Sequence, residues 1–134
     1  MVKNSFERIK LAFYCGQPDG RMFFELTRDG RPLRKRRYLF SECFGVMALS
    51  EYYRATNDEK ALERAKDTYN LVIRLHKHPD SSTPPKIFPQ TRVIKSLAMQ
   101  FMLICISQEI RKVDSNPLYE EVINDWYTKF LTIS

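Results

Sequence analysis

Apolar residues recur along most of the chain at helical rather than alternating spacing. The run Ser41-Glu42-Cys43-Phe44-Gly45-Val46-Met47-Ala48-Leu49-Ser50-Glu51-Tyr52-Tyr53-Arg54-Ala55 puts apolar side chains around most of a helical circumference, the pattern of a helix buried on more than one side. Thr56-Asn57-Asp58-Glu59 interrupts it, with Asn57 or Thr56 suited to N-cap a second helix and acidic residues suited to that helix's positive start. This next helix, predicted from Asp58 to His76, aligns Leu62, Ala65, Tyr69, Val72 and Leu75 on one stripe and keeps Lys60, Glu63, Arg64 and Lys66 off it. Pro79, Pro84, Pro85 and Pro89 predict a stiff loop over 79–90. A helix predicted from Thr91 to Lys112 is again apolar nearly all round, and Asn116-Pro117 opens a last one with Leu118, Val122, Ile123, Trp126 and Phe130 on a single stripe.

The first quarter reads differently. Phe6 to Tyr14 has helical spacing and stops at Cys15-Gly16, whereas Arg21 to Thr27 is aromatic and extended in character. Turn residues Arg28-Asp29-Gly30-Arg31-Pro32 follow it, so a short strand or β-hairpin is expected here. Downstream the helices alternate between buried and amphipathic. That alternation predicts an all-α fold of antiparallel helical hairpins, with buried helices inside and half-wetted ones outside.

Composition narrows the class. A chain of 134 residues makes one domain, 1–134. With 43% hydrophobic and 28% charged residues, long disorder is excluded. The longest nearly apolar stretch, Leu97 to Ile106, is broken by Gln100 and reaches about half of the roughly 20 residues a membrane span needs, so no membrane partner is expected. The opening Met1-Val2-Lys3-Asn4 leads into mixed polarity without the apolar core of a secretory signal, which makes the cytoplasm the expected compartment. Cys15, Cys43 and Cys105 are odd in number and set among apolar neighbours, the pattern of reduced core thiols rather than of a metal cluster. Neither a metal nor a cofactor is expected. The formal net charge of +6 is concentrated at Arg31, Arg34, Lys35, Arg36 and Arg37, while later segments alternate in sign, which argues against a nucleic-acid partner.

Two segments carry a resemblance. Asp29-Gly30-Arg31-Pro32-Leu33-Arg34-Lys35-Arg36-Arg37-Tyr38-Leu39-Phe40-Ser41-Glu42-Cys43-Phe44, with Ala48 to Asp58 after it, resembles the N-acylglucosamine 2-epimerase family; Lys86-Ile87-Phe88-Pro89-Gln90-Thr91-Arg92 and Lys95 to Met99 look like the start of that family's next inner helix. The resemblance implies part of an (α/α)6 toroid whose inner-helix ends surround a sugar pocket. It also implies epimerisation at C2 of an amino sugar or a related hexose, in which a base removes the proton beside the carbonyl of the opened sugar and an acid returns one from the other face. The two histidines that family members use for this have no match here, so no catalytic residue is expected and the chain alone is expected to be inactive.

Pocket candidates come from the two inner helices. Arg37, Phe40 and Glu42 fall near the expected mouth, where an Arg binds sugar oxygens and an aromatic ring lies against an apolar sugar face; a core role for Phe40 and a solvated charge for Arg37 remain open. Arg92, Ser96 and Gln100 are spaced i, i+4, i+8 and share one face of an otherwise greasy helix. They form either a substrate-facing line or an internal hydrogen-bond network. His76 and His78, two apart at a helix end, do not share a face and are assigned no chemistry. Two helices that want neighbours on several sides also predict an exposed apolar face, and hence a self-associating interaction module or homo-oligomer as the alternative reading.

Overall fold

A computed structural model describes residues 7, 19–34, 38–80, 83 and 97–132. Among these, a two-stranded antiparallel hairpin, β1 (Glu25–Leu26) and β2 (Pro32–Arg34), precedes four helices: α1 (Phe40–Thr56), α2 (Glu59–Lys77), α3 (Ala98–Ile110) and α4 (Pro117–Leu131). The fold is mainly α, as the spacing predicts. Of the predicted Phe6–Tyr14 helix only Glu7 lies among the described residues, and most of the 79–90 loop lies outside them.

The hairpin is shorter than expected. Glu25 faces Arg34 and Leu26 faces Pro32 across an irregular register. Gly30, at φ 87°, closes the turn by donating its N–H to the Thr27 carbonyl, a backbone geometry costly for a residue with a Cβ. Arg21 and Met22 are not strand at all: both are buried.

The α1–α2 junction corrects the expected cap. Asn57 ends α1 in the left-handed conformation, at φ 54°, and its N–H returns to the Tyr53 carbonyl. Asp58 is the N-cap of α2, its carboxylate accepting from the Lys60 N–H at 3.0 Å. Two adjacent residues therefore divide the two jobs, which makes the turn tight enough to fold α2 back along α1. At the other connection Asn116 accepts from the Leu118 N–H at 3.0 Å with Pro117 in the first turn, as its sequence predicts. Helix α3 is shorter at its end than expected, giving way at Arg111 to a turn.

Side-chain pairs set the direction of each helix. The Tyr69 and Ser107 hydroxyls are 2.7 Å apart, while Ile73 and His76 share a groove with Leu103, so α2 and α3 run antiparallel. Tyr119 packs edge-on to Tyr69, and Phe130 packs against Phe101, so α3 and α4 also run antiparallel. Helices α1 and α3 thus point the same way and begin at the same end of the layer. The core between them is built from Leu39, Val46, Leu49, Tyr69, Leu103 and Ile106. Within it the Ser107 hydroxyl also donates to the Leu103 carbonyl at 2.7 Å, so this buried polar pair is satisfied.

The expectation of helices buried all round is met on one side only. Phe44 on α1 is 60% exposed, and Phe101 and Cys105 on α3 are exposed. The reduced-core-thiol expectation therefore holds for Cys43 and fails for Cys105, whose position falls on the open face of α3; Cys15 lies outside the described residues.

Candidate functional site at the shared end of two helices

Residues that start α1 and α3 gather at one end of the layer because the two helices are parallel. Phe40, the first residue of α1, is half-buried there, and so is Gln100 in the first turn of α3. Arg37, Arg92 and Ser96 lie outside the described residues.

Glu42 is fully buried and carries the densest polar contacts at this end. Arg21, only 2% exposed, donates from Nε to Glu42 Oε1 at 2.7 Å, and the Met22 N–H donates to the same oxygen at 2.9 Å. The Arg21 guanidinium also donates to the Tyr38 carbonyl, and the Arg21 backbone N–H donates to Asp19 Oδ1 at 3.0 Å. Burying a carboxylate costs heavily unless a cation and several donors meet it. Here they meet Oε1, while Oε2 is buried with no partner among the described residues. Arg21 is not singled out by its sequence context. The available signal is one basic residue heading the apolar segment Met22-Phe23-Phe24, together with one acidic residue inside an apolar helix; nothing links the two across 21 positions.

Titratable groups nearby are tuned by burial. Burial, reinforced by the Glu42 carboxylate, pushes the Cys43 thiol up to about 12, so it stays protonated at neutral pH and is no nucleophile. Burial also raises the Tyr38 hydroxyl above its ordinary value. His76, at the end of α2, sits 3.4 Å through Nδ1 from the Tyr38 hydroxyl and edge-on to Trp126 at 5.3 Å between ring centroids. Burial, then the nearby Lys129 ammonium, lowers its pKa. His78 is exposed, so the two histidines are separated as their spacing predicts.

Among the cavities on the described surface are a narrow one and a wide one. A groove of about 230 Å³ between α2, α3 and α4 is lined by Ile73, His76, Leu103, Val122, Trp126 and Lys129. A wider one of about 470 Å³ lies at the α3–α4 turn, lined by Arg111, Asp114, Asn116 and Glu120. Phe40, Glu42 and Gln100 line neither. Among the described residues no cluster of metal-ligating side chains forms, and no helix is long and apolar enough to cross a membrane.

This end combines a buried ion pair, Arg21 with Glu42, with two half-buried side chains at helix starts, Phe40 and Gln100. No family model matches the chain. It is 30% identical over 97 residues to the N-acylglucosamine 2-epimerase of Bos taurus, covering 72% of this chain and 23% of the relative. To the Homo sapiens protein of that name it is 28% identical over 111 residues, covering 81% and 26%. To the cellobiose 2-epimerase of Dictyoglomus turgidum it is 35% identical over 56 residues, covering 42% and 14%. The chain spans about a quarter of the length of the N-acylglucosamine 2-epimerases it matches, and it is a partial match to the N-acylglucosamine 2-epimerase family.

Proposed function

We propose that this chain forms part of the helical ring of a sugar 2-epimerase, contributing two hairpins of an (α/α)6 toroid and one sector of its sugar pocket. The observation that carries this reading is the similarity to 2-epimerases of two kinds, N-acylglucosamine and cellobiose. The antiparallel helices support it, because a hairpin array brings every inner-helix start to one end, where a pocket shared by several hairpins would form.

In this reading the inner helices are α1 and α3. Phe40 lies against an apolar sugar face, Gln100 hydrogen-bonds sugar hydroxyls, and Arg37, Arg92 and Ser96 complete the line. Glu42, buried in the Arg21 ion pair, supports the pocket edge by holding the Met22 N–H and the Arg21 guanidinium against the start of α1. The substrate class is an amino sugar or a related hexose, and its C2 proton is removed and returned by groups this chain lacks. His76 is not among them, since its Nδ1 meets Tyr38 and its ring meets Trp126. Free Cys43 and Cys105 fit a reducing compartment such as the cytoplasm.

The test is exchange at C2. Incubated with N-acetylmannosamine or N-acetylglucosamine in deuterated water, the isolated chain is expected to leave the C2 proton unexchanged and to produce no epimer. Exchange above the protein-free rate would overturn the claim that the acid and base lie outside this chain.

A further inference from the structure

Helix α1 starts without the help that two of its neighbours have. Asp58 and Asn116 cap α2 and α4 through their side chains, whereas Leu39, at the start of α1, makes no side-chain cap bond. The residue before it is strained. Tyr38 has φ 46°, in the left-handed region that suits Gly or Asn and is costly for a bulky side chain. The other non-glycine residue with positive φ among the described residues is Asn57. Such a conformation persists where surrounding contacts over-determine it, and Tyr38 is held at both ends. Its carbonyl accepts from the Arg21 guanidinium, which Glu42 anchors, and its hydroxyl lies 3.4 Å from His76 Nδ1 at the end of α2. His76 is itself set edge-on to Trp126 of α4, and Tyr38 packs against the core. The amino-terminal segment, α2 and α4 therefore converge on the residue two before Phe40.

We propose that Tyr38 is a positioning residue, clamped in the left-handed conformation so that α1 starts in one direction and presents Phe40 at the pocket edge. The clamp stands on the backbone and its contacts; that Phe40 meets a sugar rests on the epimerase reading. A glycine at 38 would adopt this φ freely, but it would give α2 neither ring nor hydroxyl to hold, so the start of α1 would lose its link to His76. Strain at this position thus fixes an uncapped helix start that would otherwise fray.

The variants Y38A, Y38G and Y38F separate the parts, and each keeps the backbone carbonyl that Arg21 meets. Y38A and Y38G both lose the ring, and at an ordinary position the Ala variant is the more stable of the two. Here Y38G is expected to melt at or above Y38A, and a clearly higher Tm for Y38A would overturn the left-handed clamp. The Cys43 N–H donates to the Leu39 carbonyl in the first turn of α1. In Y38G its hydrogen exchange should be about tenfold faster than in the wild-type chain, a larger factor than Leu49 shows in the same helix. Exchange of Cys43 at the wild-type rate, or acceleration equal to that of Leu49, would overturn the positioning of the helix start. In NMR titrations with N-acetylglucosamine, Y38G should bind about fivefold more weakly or worse, with Y38F in between. Wild-type affinity in Y38G would overturn the role at the pocket. A wild-type chain that binds no sugar would overturn the pocket reading, and the melting and exchange results would still decide the clamp.

Discussion

Among the described residues, Arg21 and Glu42 are the two charges least easily spared, because each is buried and each compensates the other. Replacing Arg21 with Met leaves a carboxylate uncompensated in the core, and R21M is expected to lower unfolding stability by about 3–5 kcal/mol in urea titrations. The double variant R21M/E42L removes both charges and should recover most of that loss. If R21M alone were nearly neutral, the pair would not hold the amino-terminal segment to α1. His76 makes the second prediction at this scale. Its pKa lies below the ordinary value of 6.5, so the folded state favours the neutral imidazole. The stability it gives is complete above that ordinary value and is lost as pH falls through the depressed one. Tyr38, Trp126 and Lys129 face it, and the groove it lines also holds Glu121 and Asp125, the latter paired with Lys129 at 2.7 Å. The Tm should therefore drop between about pH 7.5 and pH 5, and drop less in H76Q; an equal drop in both would assign the acid sensitivity elsewhere.

The helix ends show what a single sequence reveals about elements. Asn116-Pro117 announces α4 because both residues act locally, one as acceptor and one through its fixed φ. The stripe Ala65, Tyr69, Val72 and Leu75 announces α2 because burial follows its period. The α1–α2 junction is less legible: Thr56, Asn57 and Asp58 are all capable caps, and only the backbone shows that Asn57 turns left-handed while Asp58 caps. D58A should cost about 1 kcal/mol of stability through the lost N-cap. N57A should cost a similar amount through left-handed strain, and N57G should cost little or nothing. Equal losses for N57A and N57G would contradict the left-handed assignment. The extent of β1 is not legible either, since Arg21 and Met22 carry strand-like spacing yet are drawn into contact with Glu42 from far along the chain.

Across the whole molecule, the alternation of buried and amphipathic helices is enough to predict an all-α hairpin arrangement, and the same alternation explains the open face. Helices whose apolar residues run nearly all round can be covered on only one side by the neighbours present, so Phe44, Phe101 and Cys105 remain exposed. Of the site, the sequence places the start of α1 to within a residue but sets the start of α3 at Thr91, whereas the described helix begins at Ala98. It does not show that both starts share one end of the layer, because that follows from the directions of α2 and α3, set by Tyr69, Ile73 and His76 against Ser107 and Leu103. It also hides the support of Glu42 by Arg21. The central claim is that these two helix starts form one sector of a sugar pocket, and backbone amide NMR of the chain during titration with N-acetylglucosamine tests it most directly. The account predicts saturable shifts confined to the starts of α1 and α3, around Phe40, Glu42 and Gln100, that are lost in F40A/Q100A. Shifts elsewhere, or none at saturating sugar, would contradict it.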